Sequence, residues 1–160
     1  MKDLVAIAEK VAAKLIERRQ TIAVAESSTG GLISAALLAV PGASAYFLGG
    51  AVVYTRDARR ILMDIPDEAM KGIRSASEAY ATLLASQIRN RFSTDWGLSE
   101  TGATGPTGNR YGDAAGHSCM AVAGPELQVI TLETGSGDRL GNMQVFASTA
   151  LNLLLQNLSR

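Results

Sequence analysis

Two polar, glycine-rich segments, ESSTGG at 26–31 and ETGATGPTG at 100–108, each follow directly on a short apolar run of strand character. Turns of this kind between strands and helices are the mark of a layered α/β domain, and the rest of the chain supplies the layers. Leu4, Ala8, Val11, Ala12, Leu15 and Ile16 recur at helical spacing, with Lys10, Lys14, Glu17 and Arg18 opposite, and predict a first amphipathic helix. Residues 21–25 read as a buried strand. Leu32 to Val40, rich in alanine, suits a helix laid on a sheet and stopped by Pro41-Gly42. Tyr46 to Tyr54 is a second strand, its Gly49-Gly50 marking a bulge or a close backbone approach. A helical stretch from Arg56 to about Met63 breaks near Pro66. Ser75 with Glu78 forms a capping-box pattern ahead of a helix striped by Tyr80, Leu84 and Ile88. Trp96 to Ser99 predicts a third strand. Ser118 to Ala123 and Leu127 to Thr134 predict a hairpin turning at Gly124-Pro125, and Asp138 to Leu158 a last helix carrying Met143, Phe146, Ala150 and Leu153. At 160 residues, without repeats or a long linker, one α/β domain accounts for the whole chain.

Charge and composition narrow the function. Fifteen Lys and Arg balance fifteen Asp and Glu, which argues against a nucleic-acid binder, where a basic excess is usual. Arg56, Arg59 and Arg60 sit close together and read as a solvated helix face rather than a basic patch. One cysteine, Cys119, and one histidine, His117, exclude an intramolecular disulfide and any cysteine cluster or multi-histidine metal centre. The first helix mixes charge with apolar residues, unlike a signal peptide, and no apolar run has the ~18 residues of a membrane span. A cytoplasmic protein that binds neither nucleic acid nor membrane is the expectation.

Sites are expected at the two glycine-rich turns, because open α/β sheets bind ligands at the carboxyl ends of their strands. Backbone N–H groups in such turns can face an anion. Neither turn matches GxxxxGK[ST] or GxGxxG, so they are equally well plain turns that need glycine. Ser27, Ser28 and Thr29 read either as caps of the following helix or as ligand-facing hydroxyls, Ser27 resembling a nucleophile on an elbow. Ser44, Tyr54, Thr101 and Thr104 lie in or beside the same segments. Glu100, Asp113 and His117 are the groups near them able to move a proton, and burial at the end of a strand would raise the Glu100 pKa into useful range.

Taken together, AESSTGG, PGAS at 41–44, a strand ending at Tyr54, TGATGP at 101–106 and GDR at 137–139 resemble the CinA C-terminal domain family. Its best-known members are nicotinamide-nucleotide amidases, and the resemblance runs from about Leu4 to Leu158. It implies a three-layer α/β/α sandwich with a mixed, mostly parallel sheet. It implies conversion of nicotinamide mononucleotide and water to nicotinic acid mononucleotide and ammonia by a serine acting with a lysine and a tyrosine, without metal or cofactor. It also implies a homo-oligomer. By motif, Ser27 and Ser44 are the two serine positions, with Ser27 favoured, and Tyr54 is the tyrosine. Ser28, Thr29, Gly30, Gly31, Thr101, Gly102, Thr104, Gly105 and Arg139 would line the substrate.

The chain departs from the pattern in its second loop, with Glu100 before TG and GNRYGDAAGHS at 108–118, and at one further position. Arg59 stands where the family lysine belongs, and a guanidinium cannot give up its proton to serve as a base, although it can grip a carboxylate or phosphate in two bonds. Three functions remain in view. The chain is an amidohydrolase of nicotinamide mononucleotide with Glu100, Asp113 or His117 as substitute base, a nucleotide- or phosphometabolite-binding protein that has lost hydrolysis, or a hydrolase of another amide or ester whose anionic end Arg59 holds.

Overall fold

A computed structural model describes residues 1–160. Its five strands are β1 (Ile22–Glu26), β2 (Phe47–Val52), β3 (Trp96–Ala103), β4 (His117–Ala123) and β5 (Leu127–Glu133). Its helices are α1 (Lys2–Arg18), α2 (Leu32–Leu38), α3 (Arg56–Met63), α4 (Glu78–Phe92) and α5 (Arg139–Leu158), with single 3-10 turns at Ala43–Ala45 and Asp67–Met70. The sheet order is β2-β1-β3-β4-β5. β1 pairs parallel with β2 and β3, whereas β4 is antiparallel to both its neighbours, so four strands run one way and β4 alone runs back. This is the expected mixed sheet. It is covered on both faces, giving one α/β/α domain. No helix is long and apolar enough to cross a membrane.

Strand alternation sorts the side chains between the two helical layers. Ile22, Val24, Trp96, Leu98, Met120 and Val122 face α1, α2 and α5 in the larger core, with Leu15, Leu37 and Phe146. The intervening Ala23 and Ala25 face α3 and α4, meeting Met63, Tyr80, Leu84 and Ile88. Ala81 and Ala85 of α4 continue this second layer onto Cys119 and Ala121. Gly97 lets α4 come this close: a Cβ there would lie 2.2 Å from the carbonyl oxygen of Ala85.

Where sequence and structure part, pairing and packing explain it. β3 continues four residues past Ser99, because Glu100 to Ala103 pair with Met120 to His117 of β4, and the ladder outweighs the glycine content. α2 stops at Leu38 rather than Val40. Ile16 is 46% exposed, one position off the buried stripe of α1. The N-cap of α4 is Ser77, not Ser75; its hydroxyl accepts from the N–H of Tyr80 at 3.2 Å. The register in β2 slips by one residue at Leu48, just ahead of the glycine pair, with Ile22 opposite Phe47 and Ala23 opposite Gly49.

Candidate functional site

The ESSTGG turn holds two carboxyl groups, and both belong to the protein. Glu26 ends β1 with its carboxylate under the start of α2, where it accepts the N–H groups of Gly31, Ile33 and Ser34 at 2.9, 3.2 and 2.9 Å. It also accepts the Ser34 hydroxyl at 2.8 Å. The donors left free at the helix start are therefore capped by a carboxylate, not by Ser27, Ser28 or Thr29. Glu100 comes from β3 and accepts the N–H groups of Ser27 and Thr29 at 3.1 and 3.0 Å, the Ser28 hydroxyl, and the Ser118 hydroxyl at 3.2 Å. The Thr29 hydroxyl bridges the two acids, 2.6 Å from Glu26 and 3.0 Å from Glu100. Gly30 and Gly31 carry the chain between them at φ of +64° and +105°, which side chains rarely tolerate.

These contacts revise several sequence expectations. Ser28 and Thr29 are buried and spent on internal bonds, and they, Gly30 and Gly31 lie outside the cavity that Ser27 opens into. Glu100 is fully buried on the α2 side of the sheet. Burial pushes its carboxyl above the usual range, against the pull of Ser28, Thr29 and Ser27, but it is a structural anchor for the turn and not a base facing a ligand. Its neighbour Thr101 points the other way, as alternation requires, and lines the cavity.

That cavity, about 590 Å³, lies at the carboxyl ends of β1, β2 and β3 on the α3–α4 side. Ser27, Tyr54, Arg59, Thr101 and Gly102 of the expected set meet there, joined by Arg56, Asp67, Lys71, Arg74, Tyr80, Arg110 and Tyr111. The additions come from segments far apart in sequence. Only their basic and aromatic character in loops next to strand ends could have marked them. Arg59 is 7% exposed, so it is not on a solvated face. One of its terminal nitrogens pairs with Asp67, which Arg56 and Arg60 also approach at 3.8 and 3.7 Å, and its Nε has no partner.

On the other wall, Arg74 clasps Asp113 with two bonds, 2.6 and 3.0 Å, and the Asn109 amide adds a third at 2.8 Å. Burial works against the Asp113 anion, but Arg74 and Asn109 more than offset it and hold its carboxyl below the usual range. The Tyr111 ring has the guanidinium groups of Arg74 and Arg110 at 5.5 and 5.1 Å from its centre. The Arg110 bond to its oxygen pushes the Tyr111 phenol down, against burial.

His117 projects from β4 to the same side, yet both its nitrogens are occupied. Nδ1 faces Glu133 and Nε2 faces the carbonyl oxygen of Ala76 at 2.6 Å. Burial alone would depress its pKa, but the Glu133 and Ala76 bonds and the charge of Asp113 raise it, and both ring nitrogens face acceptor oxygens. Glu100, Asp113 and His117 are thus each committed elsewhere, and the cavity receives no substitute base from them.

The remaining expected residues lie apart from the cavity. Ser44 is exposed in the 3-10 turn before β2, at the opposite end of the sheet from Ser27, roughly 20 Å away at about 3.3 Å per strand residue. Thr104 and Gly105 are buried, their carbonyl oxygens accepting from Asn142 at 2.8 Å and Arg139 at 2.5 Å. Arg139 does reach Tyr54, donating to its hydroxyl at 3.3 Å, and so ties the second turn to the rim.

Known proteins match both sequence and fold. The family model for the CinA C-terminal domain matches residues 4–158. A CinA-like protein of Gloeobacter violaceus is 37% identical over 150 residues, covering 92% of this chain and 35% of its own length. One of Acidobacterium capsulatum is 37% identical, covering 88% of this chain and 34% of its own length. The chain spans about a third of the curated relatives it matches. Among solved structures, a competence or damage-inducible protein from Enterobacter asburiae superposes with a TM-score of 0.90 at 29% identity, covering 97% of this chain and 98% of its own. A competence/damage-inducible protein from Agrobacterium tumefaciens superposes with a TM-score of 0.90 at 26% identity, covering 99% and 96%.

Proposed function

The chain belongs to the CinA C-terminal domain family, and on that premise we propose that its cavity binds a phosphorylated nucleotide of the nicotinamide mononucleotide kind without hydrolysing it. One observation carries this reading. Five cationic side chains, Arg56, Arg59, Lys71, Arg74 and Arg110, line the cavity against a single lining carboxylate, Asp67. Even with Asp113 counted as the partner of Arg74, three positive charges remain in excess, in a protein of zero net charge. Such an excess in a cleft attracts and holds phosphate. Ser27 lacks a base bonded to it: Arg59 cannot take its proton, Glu100, Asp113 and His117 are engaged elsewhere, and Lys71, the one lysine of the lining, makes no hydrogen bond to it.

A second reading, hydrolysis of the nucleotide's amide by Ser27, is favoured by that residue alone. It is the only hydroxyl of the ESSTGG turn that lines the cavity, on a strand-to-helix elbow. One experiment separates the two. Purified protein is given nicotinamide mononucleotide, with binding followed by calorimetry and ammonia by a coupled assay. Saturable binding with no ammonia above the enzyme-free blank is expected. Ammonia release abolished by Ser27→Ala would establish the second reading instead.

A further inference from the structure

The cationic residues of the cavity fall into two sets that differ in kind. Arg59 is the buried one: its side chain is nine-tenths inaccessible, it is fixed through Asp67, and its Nε lacks any partner. Lys71 and Arg110 are exposed, and neither has a carboxylate partner; Arg110 rests on the Tyr111 ring beside Arg74. A planar, dry, immobile guanidinium suits a flat carboxylate, which it can hold in a fixed plane. Mobile, hydrated cations at a rim suit a phosphate, which keeps much of its water. Arg59 comes from α3, as does the exposed Arg56, whereas Lys71, Arg74 and Arg110 come from the segments before α4 and after β3. A ligand with one anionic group, held at the rim, would leave Arg59 answered by Asp67 alone.

Resting on the reading above, we propose that the preferred ligand of this cavity carries two separate anionic groups, a carboxylate facing Arg59 and a phosphate facing Lys71, Arg74 and Arg110. An acid is therefore bound in preference to its amide. Nicotinic acid mononucleotide and nicotinamide mononucleotide make the matched pair, because they share ring, ribose and phosphate and differ only in carboxylate against carboxamide. The amide is neutral and meets Arg59 with a single acceptor oxygen, whereas the carboxylate brings two oxygens and a charge.

Calorimetry with both nucleotides on the purified chain tests this. The acid is expected to bind about tenfold more tightly or better, the range of one charge-assisted pair. Arg59→Gln, with folding checked by thermal melting, should bring the two affinities to within about threefold of each other, chiefly by weakening the acid. Arg110→Gln removes an exposed side chain and should weaken both nucleotides by a similar factor with the ratio kept. Equal affinities in the unsubstituted protein, or tighter binding of the amide, would overturn the inference while leaving nucleotide binding itself intact. A ratio that responds to Arg110→Gln and ignores Arg59→Gln would also overturn it, by placing the carboxylate at the other wall. Binding of neither nucleotide would overturn this inference and the parent reading together.

Discussion

At the scale of single residues, the proposed function rests on the difference between Arg59 and a lysine. Both carry a positive charge at neutral pH, but only the ammonium has a conjugate base within reach. Arg59 sits in α3, whose N-cap Thr55 accepts the Ala58 N–H at 3.1 Å, so the position is fixed by the helix and not by the side chain it bears. Arg59→Lys should therefore keep the fold and return a base to the wall shared with Ser27 and Tyr54. Ammonia release from nicotinamide mononucleotide is the measurement, and a rate rising above that of the unsubstituted protein, and lost again with Ser27→Ala, is the expected outcome. A double variant with no ammonia change over Arg59→Lys would show that Ser27 is not the attacking group. Motif pointed to Ser27, Tyr54, Arg59 and Thr101, and these four line one cavity. It could not tell that Glu100 faces away from that place. The side of the sheet a residue takes depends on where a strand truly ends, and the glycines hid the last four residues of β3.

At the scale of elements, His117 adds a side-chain tie between β4, β5 and the turn before α4. The His117 ring joins Glu133 of β5 to the Ala76 carbonyl, and Asp113 lies 3.7 Å from its Nε2. Because its folded pKa is raised, its contribution to stability is full below the unfolded value, about 6.5. That contribution is lost as pH rises through the raised folded value. The buried carboxyl of Glu100 is raised as well, and its effect declines in the same direction from lower pH. Urea midpoints between pH 6 and pH 9 should therefore fall for the unsubstituted protein, and fall less for His117→Gln, which cannot titrate. Parallel pH profiles for the two proteins would mean that the ring is not charged in the fold. Elements with strong periodicity, such as α4 and α5, were readable in the sequence because packing follows the same stripe. Their ends were not: Ser75 and Ser77 both precede Glu78 at plausible distance, and only the bond from Tyr80 N–H to Ser77 distinguishes them.

For the molecule as a whole, zero net charge and a strongly positive cleft are compatible because folding gathers like charges that sequence keeps apart. Arg56 and Arg59 come from α3, Lys71 and Arg74 from the segment before α4, and Arg110 from the long connection after β3. Counting residues along the chain cannot reveal that concentration, which is why the arginines near 56–60 read as a plain solvated face. The consequence is measurable. Affinity for nicotinic acid mononucleotide should fall several-fold when salt is raised from about 0.05 to 0.5 M, as screening shortens the reach of the exposed cations. The melting temperature without ligand should change little. Affinity that ignores salt would place the nucleotide away from this cleft.

The turn between β1 and α2 has a wider implication. Since Glu26 and Glu100 take its N–H groups at Ser27, Thr29 and Gly31 and its Ser28 and Thr29 hydroxyls, only the Ser27 hydroxyl is left to respond when the occupant of the neighbouring cleft changes. The turn works as a rivet between two strands and a helix. A lineage could then exchange one small molecule for another by altering α3 and the long connection after β3 while this rivet stayed untouched. The motif that best announces the scaffold would be among the poorest guides to the cargo.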